Sequence, residues 1–210
     1  MFDAKLLPLQ RRLLHGPARW LAVRGVPADA ITLAGFALGL CGVAAAAAGW
    51  FWLALAGLIA NRVADGLDGE VARRAGPTDR GAFLDIALDF VFYALFPLGF
   101  ALAEPGTNAL PALVLVTSFV GTGSSFLAFS VIAERRGLSA EDYPTKGIYY
   151  LGGIAEGSET IGIFVAMCLF PGAFPVLALA FATFCFITTL TRWLAGWQLF
   201  GADRTPDARD

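Results

Sequence analysis

The sequence is short of charge. Only 15% of its 210 residues are Asp, Glu, Lys or Arg, where a soluble domain carries about 25%. With 57% of residues hydrophobic and a mean hydropathy of +0.67, one small core cannot bury the apolar surplus. Lipid must be part of the solvent, which excludes an ordinary soluble domain. Cysteine is also scarce. Cys41, Cys168 and Cys185 lie far apart inside apolar stretches, without CxxC or Cys/His spacing. They read as small core-filling thiols, not as metal or redox groups. The single histidine, His15, falls in a basic leader and reads as solvated. No linker divides the chain and no sequence repeat appears. The alternating pattern of a membrane β-barrel strand is missing. A cleavable signal peptide is not expected, because Lys5, Arg11, Arg12, Arg19 and Arg24 leave no long apolar core in the leader.

What the chain does have is apolar runs. Six are long enough to cross ~30 Å of hydrocarbon, which takes about 20 helical residues: Ala30–Gly49, Phe51–Arg73, Gly81–Ala103, Leu110–Glu134, Gly147–Phe170 and Phe174–Phe200. Gly and Pro separate them. The expected fold is an all-α integral membrane protein with six transmembrane helices in one domain, residues 28–200. An amphipathic segment (1–27) precedes it and a polar tail (201–210) follows. In the leader, Leu6, Leu9 and Leu13 share one side and Arg11 and Arg12 the other. This predicts a helix lying on the membrane surface, interrupted at Gly16-Pro17. None of the 15 Lys and Arg residues falls near Trp50, in Glu104–Asn108 or in Pro171–Pro175. By the positive-inside rule those are outer loops, and both termini are cytoplasmic. Trp50, Phe51 and Trp52 read as interfacial anchors.

Against this background the carboxylates stand out, because ionisable groups inside spans are costly and usually functional. The second run carries Asp65, Asp68 and Glu70; the third carries Asp85 and Asp89. At 100° per residue, Asp65 and Asp68 share a face with Gly69 and Ala72. Asp85 and Asp89 share another, with Gly81 a turn earlier. Asp65 and Asp89 each lie about 21 Å from the outer end of their helices at 1.5 Å per residue. If the two helices are packed neighbours, four carboxylates reach one level near the cytoplasmic side. Their repulsion calls for cations, and oxygen-only ligation suits hard ions such as Mg²⁺, Mn²⁺ or Ca²⁺. Two such ions bridging carboxylates and phosphates are a recurring device for displacement at phosphorus. Arg62, Arg73, Arg74 and Arg80 could instead pair with the carboxylates, although phosphate contact is the preferred reading. Gly66 and Gly69 each cost about 1 kcal/mol against Ala inside a helix, which suggests a groove for a ligand.

The run Asp65-Gly66-Leu67-Asp68-Gly69-Glu70-Val71-Ala72-Arg73, followed by Gly81, Asp85 and Asp89, resembles the signature of the CDP-alcohol phosphotransferase (phosphatidyltransferase) family. That signature reads D-x-x-D-G-x-x-A-R, a spacer, then G-x-x-x-D-x-x-x-D, and all eight defining residues are present. The spacer from Arg74 to Arg80 is one residue shorter than usual, in a loop where length varies readily. The resemblance implies an enzyme that moves a phosphatidyl-type group from a CDP-linked lipid to a small alcohol, with release of CMP. It implies a pair of Mg²⁺ or Mn²⁺ ions on Asp65, Asp68, Asp85 and Asp89, with Asp89 also acting as general base. It assigns the nucleotide to Gly69, Ala72, Arg73 and Gly81. It further implies a homodimer in the inner membrane of a bacterium, in contact with membrane lipid and with no nucleic-acid partner.

The acceptor stays open. Glu156, Glu159, Ser124, Ser125, Arg192 and Lys146 fall near the same depth. Lys146, Arg135, Arg136 and Arg192 would suit a phosphorylated acceptor such as glycerol 3-phosphate. Glu156 and Glu159, with Tyr149 or Tyr150, would suit serine, ethanolamine or choline. A different CDP-linked donor is an alternative. Two rivals of another class are a catalytically dead scaffold and a cation transporter using the aspartates, although transporters favour interrupted helices and midplane sites.

Overall fold

In a computed structural model of the chain, residues 3–137 and 157–201 are described, with side chains from residue 12 onward. Among them all regular structure is helical: α1 (Asp3–Val23), α2 (Ala28–Ala47), α3 (Phe51–Ala75), α4 (Asp79–Ala103), α5 (Pro105–Arg135), α6 (Gly157–Leu169) and α7 (Phe174–Gly201), the last preceded by a 3₁₀ turn at Pro171–Ala173. The breaks fall where turn residues predict them. Gly49 and Gly76 take positive φ (78° and 99°), which L side chains resist. Pro105 opens α5, where its missing amide is not needed.

α2, α4, α5 and the stretch Pro171–Gly201 are long and apolar enough to cross a membrane. α3 has the length, with 25 residues, but carries Arg62, Asp65, Asp68, Glu70, Arg73 and Arg74. α6 has 13 described residues; the first part of its predicted span and the tail from residue 202 lie outside the described residues. Leu38, Val91, Leu113, Val120 and Leu194 are exposed large apolar groups on these helices, as a lipid-facing surface requires.

α1 corrects one expectation. It runs unbroken through Gly16-Pro17. Ala18, one residue on, is fully buried in a small cluster with Ile31, Ala64 and Val71. Packing on α3 holds the helix across a residue that lacks an amide donor.

α2 is the central element, packing against both α3 and α4, while α5 joins α4 to α7. Small residues permit this closeness. A Cβ on Gly57 of α3 would stand 2.6 Å from the Gly42 Cα of α2, and one on Gly99 of α4 would stand 2.8 Å from the Val43 carbonyl oxygen. Asn61 Nδ2 donates across α3–α2 to the Gly35 carbonyl at 3.1 Å. Toward the end of the bundle that holds the α2–α3, α4–α5 and α6–α7 loops, Phe96, Phe100, Phe164 and Phe174 are fully buried, as is Phe92 midway along α4. Their rings stack at 4.7 Å (Phe96–Phe164) and 4.9 Å (Phe100–Phe174).

A second expectation also changes. α3 and α4 are not packed side by side. Both lie against α2, drawn onto its glycines, and they face each other through side chains across a cleft.

Candidate active site

α3 brings Asp65 and Asp68 to one wall of that cleft, and α4 brings Asp85 and Asp89 to the other. Thr32 of α2 and Arg62 of α3 complete the lining of a narrow cleft, largely filled by these side chains. The four aspartates predicted to reach one level all line this cleft. Asp85 lines the cleft across from Asp65. Asp68 is buried and accepts a 2.5 Å hydrogen bond from Thr32 Oγ1.

Arg62 ties the walls together. Its Nη2 donates to Asp89 Oδ1 at 2.6 Å and its Nη1 to Asp89 Oδ2 at 3.3 Å, a two-pronged grip. Nη1 also donates to the Tyr93 hydroxyl at 3.2 Å, and Nε donates to Asn61 Oδ1 at 2.8 Å. Asp65 Oδ2 stands 3.8 Å from Nη1. A guanidinium with its donors engaged in this way is rigidly placed.

The other arginines point elsewhere. Arg73 and Arg74 pair with Glu70 at 2.8 Å and 3.0 Å, and Arg80 pairs with Asp29 at 2.6 Å. All four are carboxylate partners in the structure, where phosphate contact was the preferred expectation. Only Arg62 acts within the aspartate cleft. Gly69 faces open space: a Cβ there would meet only the Arg73 guanidinium, 3.4 Å away. Ala72 is half-buried beside it. The Gly81 amide donates to Thr78 Oγ1, the N-cap of α4, at 3.1 Å, and a Cβ on Gly81 would lie 3.2 Å from Asp29 Oδ1.

Of the acceptor candidates, Lys146, Glu156, Tyr149 and Tyr150 lie outside the described residues. Glu159 sits in the first turn of α6 and accepts from Ser158 Oγ at 3.2 Å. Arg192 is buried in α7, and its Nη1 donates to the Thr122 carbonyl at 3.0 Å. Neither lines the aspartate cleft. Arg136 donates to the Leu199 and Phe200 carbonyls at the end of α7. Ser124 and Ser125 bond back to carbonyls of their own helix. Sequence reasoning missed Thr32, Asn61 and Tyr93. Asn61 and Tyr93 each lie four residues from a site aspartate, Asp65 or Asp89, which is a readable helical signal. Thr32 has no such signal, because only the fold brings α2 to the site.

Among the described residues, four carboxylates face one guanidinium in this cleft, so three negative charges lack a counter-charge there when all are ionised. The donor set is all oxygen, and the charge excess fits a hard divalent cation. As the side chains stand, no three Asp, Glu, His or Cys among the described residues converge on one point. Arg62 and Thr32 hold two of the carboxylates aside.

Comparison with known proteins bears on the same helices. The CDP-alcohol phosphatidyltransferase family matches residues 26–201, which takes in the whole cleft. The chain belongs to this family. As a phosphatidyltransferase it has curated relatives along nearly its full length. It is 48% identical over 197 residues to the inner membrane protein YnjF of Escherichia coli, covering 94% of this chain and 96% of that one. It is 30% identical to the archaetidylinositol phosphate synthase of Methanothermobacter thermautotrophicus, covering 91% and 92%. A phosphatidylcholine synthase of Rhizobium meliloti is 31% identical over 135 residues, 60% of this chain and 52% of that one. The fold of the phosphatidyltransferase is also that of the Mycobacterium tuberculosis phosphatidylinositol phosphate synthase crystallised with CDP-DAG. The TM-score is 0.65 at 22% identity, with 95% of this chain and 98% of that one covered.

Proposed function

We propose that this phosphatidyltransferase moves a phosphatidyl group from CDP-diacylglycerol to a small alcohol in the inner membrane, releasing CMP, and that the reaction depends on Mg²⁺ or Mn²⁺. The observation that carries this is that Asp65, Asp68, Asp85 and Asp89 line one cleft, with Arg62 their single counter-charge among the described residues. Relatives named as phospholipid synthases support the reaction class, and the CDP-DAG-bound neighbour supports the donor.

In this reading Asp65, Asp68, Asp85 and Asp89 hold two divalent ions. Such ions, when bound by these carboxylates, would supply the positive charge that a pyrophosphate needs. Gly69 leaves room for the nucleotide, Ala72 and Arg73 border it, and Gly81 sets the start of α4. Asp89 takes the proton from the acceptor hydroxyl. The acceptor oxygen forms a bond to the β-phosphorus, the bond from that phosphorus to the bridging oxygen breaks, and CMP leaves with the electron pair. Arg62 grips both Asp89 oxygens and fixes the direction in which the base points.

The remaining parts of the proposal are architectural. α3 and the α6 region complete six spans, both termini face the cytoplasm, and two copies form a homodimer. The test is CMP release by purified full-length chain from CDP-diacylglycerol across a panel of alcohols: glycerol 3-phosphate, inositol 1-phosphate, serine, ethanolamine and choline. One acceptor should drive release with Mg²⁺ or Mn²⁺ and none with EDTA. Metal-independent release, or none across the panel, would sink the reading and favour the cation-transport alternative.

A further inference from the structure

On the side of α3 turned away from the aspartates, the end of the helix meets α1 in a second cavity. Arg12 and His15 of α1 and Glu70, Arg73 and Arg74 of α3 line it, and it holds about 600 Å³. Glu70 lies 200° around the helix from Asp68, so the cavity opens away from the aspartates, with Arg73 at the edge it shares with the groove beside Gly69.

The charges here do not balance. Three guanidiniums surround one carboxylate, leaving two positive charges in excess before His15 is counted. Arg73 Nη2 and Arg74 Nη2 both donate to Glu70, so that carboxylate is already saturated. Arg74 Nη2 also stands 2.7 Å from His15 Nδ1. A guanidinium has no lone pair, so Nδ1 is the acceptor and Nε2 carries the proton. His15 therefore presents a donor, not an acceptor, to whatever enters. Arg12 is exposed and has no partner among the described residues. Every polar group left over is a donor or a positive charge, and the complement is a multi-oxygen anion.

The position narrows the class. α1 exposes Leu13 (68%), Trp20 (55%) and Val23 (81%), and Arg24 stacks over Trp20 at 3.5 Å. An exposed apolar flank beside a basic cavity is the arrangement that seats lipid phosphates at a bilayer surface. We infer that Arg12, His15 and Arg74 form a phosphate-binding site, separate from the catalytic cleft, that takes the headgroup phosphate of an anionic phospholipid.

The test uses the full chain in detergent with phosphatidylglycerol, phosphatidylcholine and inorganic phosphate as probes, and counts retained lipid by native mass spectrometry. Wild type should retain phosphatidylglycerol in preference to phosphatidylcholine, and less of it as salt rises. Arg12→Ser should weaken retention about five-fold, and Arg12→Ser/Arg74→Ser by more than about ten-fold. Arg80→Ser, which alters an exposed ion pair with Asp29, should bind as wild type. Arg12 bonds nothing among the described residues, so its single variant keeps the test valid if the double variant fails to fold. Displacement of the lipid by millimolar inorganic phosphate would support the site and assign it to soluble phosphates. Equal phosphatidylglycerol retention by wild type and Arg12→Ser would overturn the proposal. Because retention is read without turnover, failure here leaves the catalytic reading intact, and the reverse also holds.

Discussion

Asp89 is gripped through both oxygens by Arg62, so its orientation is set before any substrate arrives. Asp89→Asn keeps the shape and one acceptor oxygen for Arg62, but loses the second prong and removes the basic oxygen. Turnover should fall by about 10²–10⁴, while CDP-diacylglycerol binding, followed by lipid retention, stays near wild type. A fully active variant would remove Asp89 as base. Arg62→Ala makes a different prediction. It leaves four carboxylates without their counter-charge at a position where Arg62 is only 16% exposed. The metal-free protein should lose roughly 3 kcal/mol and regain much of it with millimolar Mg²⁺. Thermal melting in EDTA and in Mg²⁺ reads both numbers, and an equal loss in the two conditions would mean that Arg62 does not stand in for a cation. At this scale the sequence was informative about charge and silent about direction. The cost of burying Asp65, Asp68, Asp85 and Asp89 marks them at once, but whether an arginine turns to phosphate or to carboxylate depends on rotamers. Arg73, Arg74 and Arg80 all found acidic partners on surfaces that spacing alone does not reveal.

Among the helices, glycine has two opposite uses, and substitution separates them. Gly57 faces Gly42 so closely that a Cβ has no room. Gly57→Val should therefore wedge α2 from α3 and lower stability by about 1–3 kcal/mol, seen as an earlier melt. Gly69 faces an open groove. Gly69→Val should leave the melting temperature nearly unchanged yet raise the KM for the CDP-linked donor by obstructing its nucleotide. Equal destabilisation by the two substitutions would mean that Gly69 is packing, not ligand space. Helix positions were legible from apolar length and turn residues, and the breaks at Gly49, Gly76 and Pro105 fall as expected. Helix neighbours were less legible. Sequence order suggests that α3 packs on α4, whereas small residues on α2 recruit both. The same limit applies to Pro17, whose effect on α1 was decided by contact with α3.

For the molecule as a whole, topology carries the clearest prediction. If the loop at Glu104–Asn108 is outside and Arg136 inside, a cysteine placed at Thr107 should react with a membrane-impermeant maleimide in intact cells. One at Glu134 should react only after lysis. Both cysteines are placed in a Cys41→Ser background, because Cys41 is exposed whereas Cys168 and Cys185 are buried. Labelling in the opposite sense would invert the proposed orientation and place the aspartates on the wrong side for a cytoplasmic nucleotide.

The aromatic cluster of Phe96, Phe100, Phe164 and Phe174 fills the half of the bundle away from the two polar cavities, and Phe92 reaches back to the Arg62 guanidinium. Cohesion and chemistry are thus assigned to different halves of the same helices. A lineage could reshape the half that holds the aspartates to accept a new alcohol while the ring stack went on holding the scaffold together. Change in the reactive half need not begin with damage to the fold.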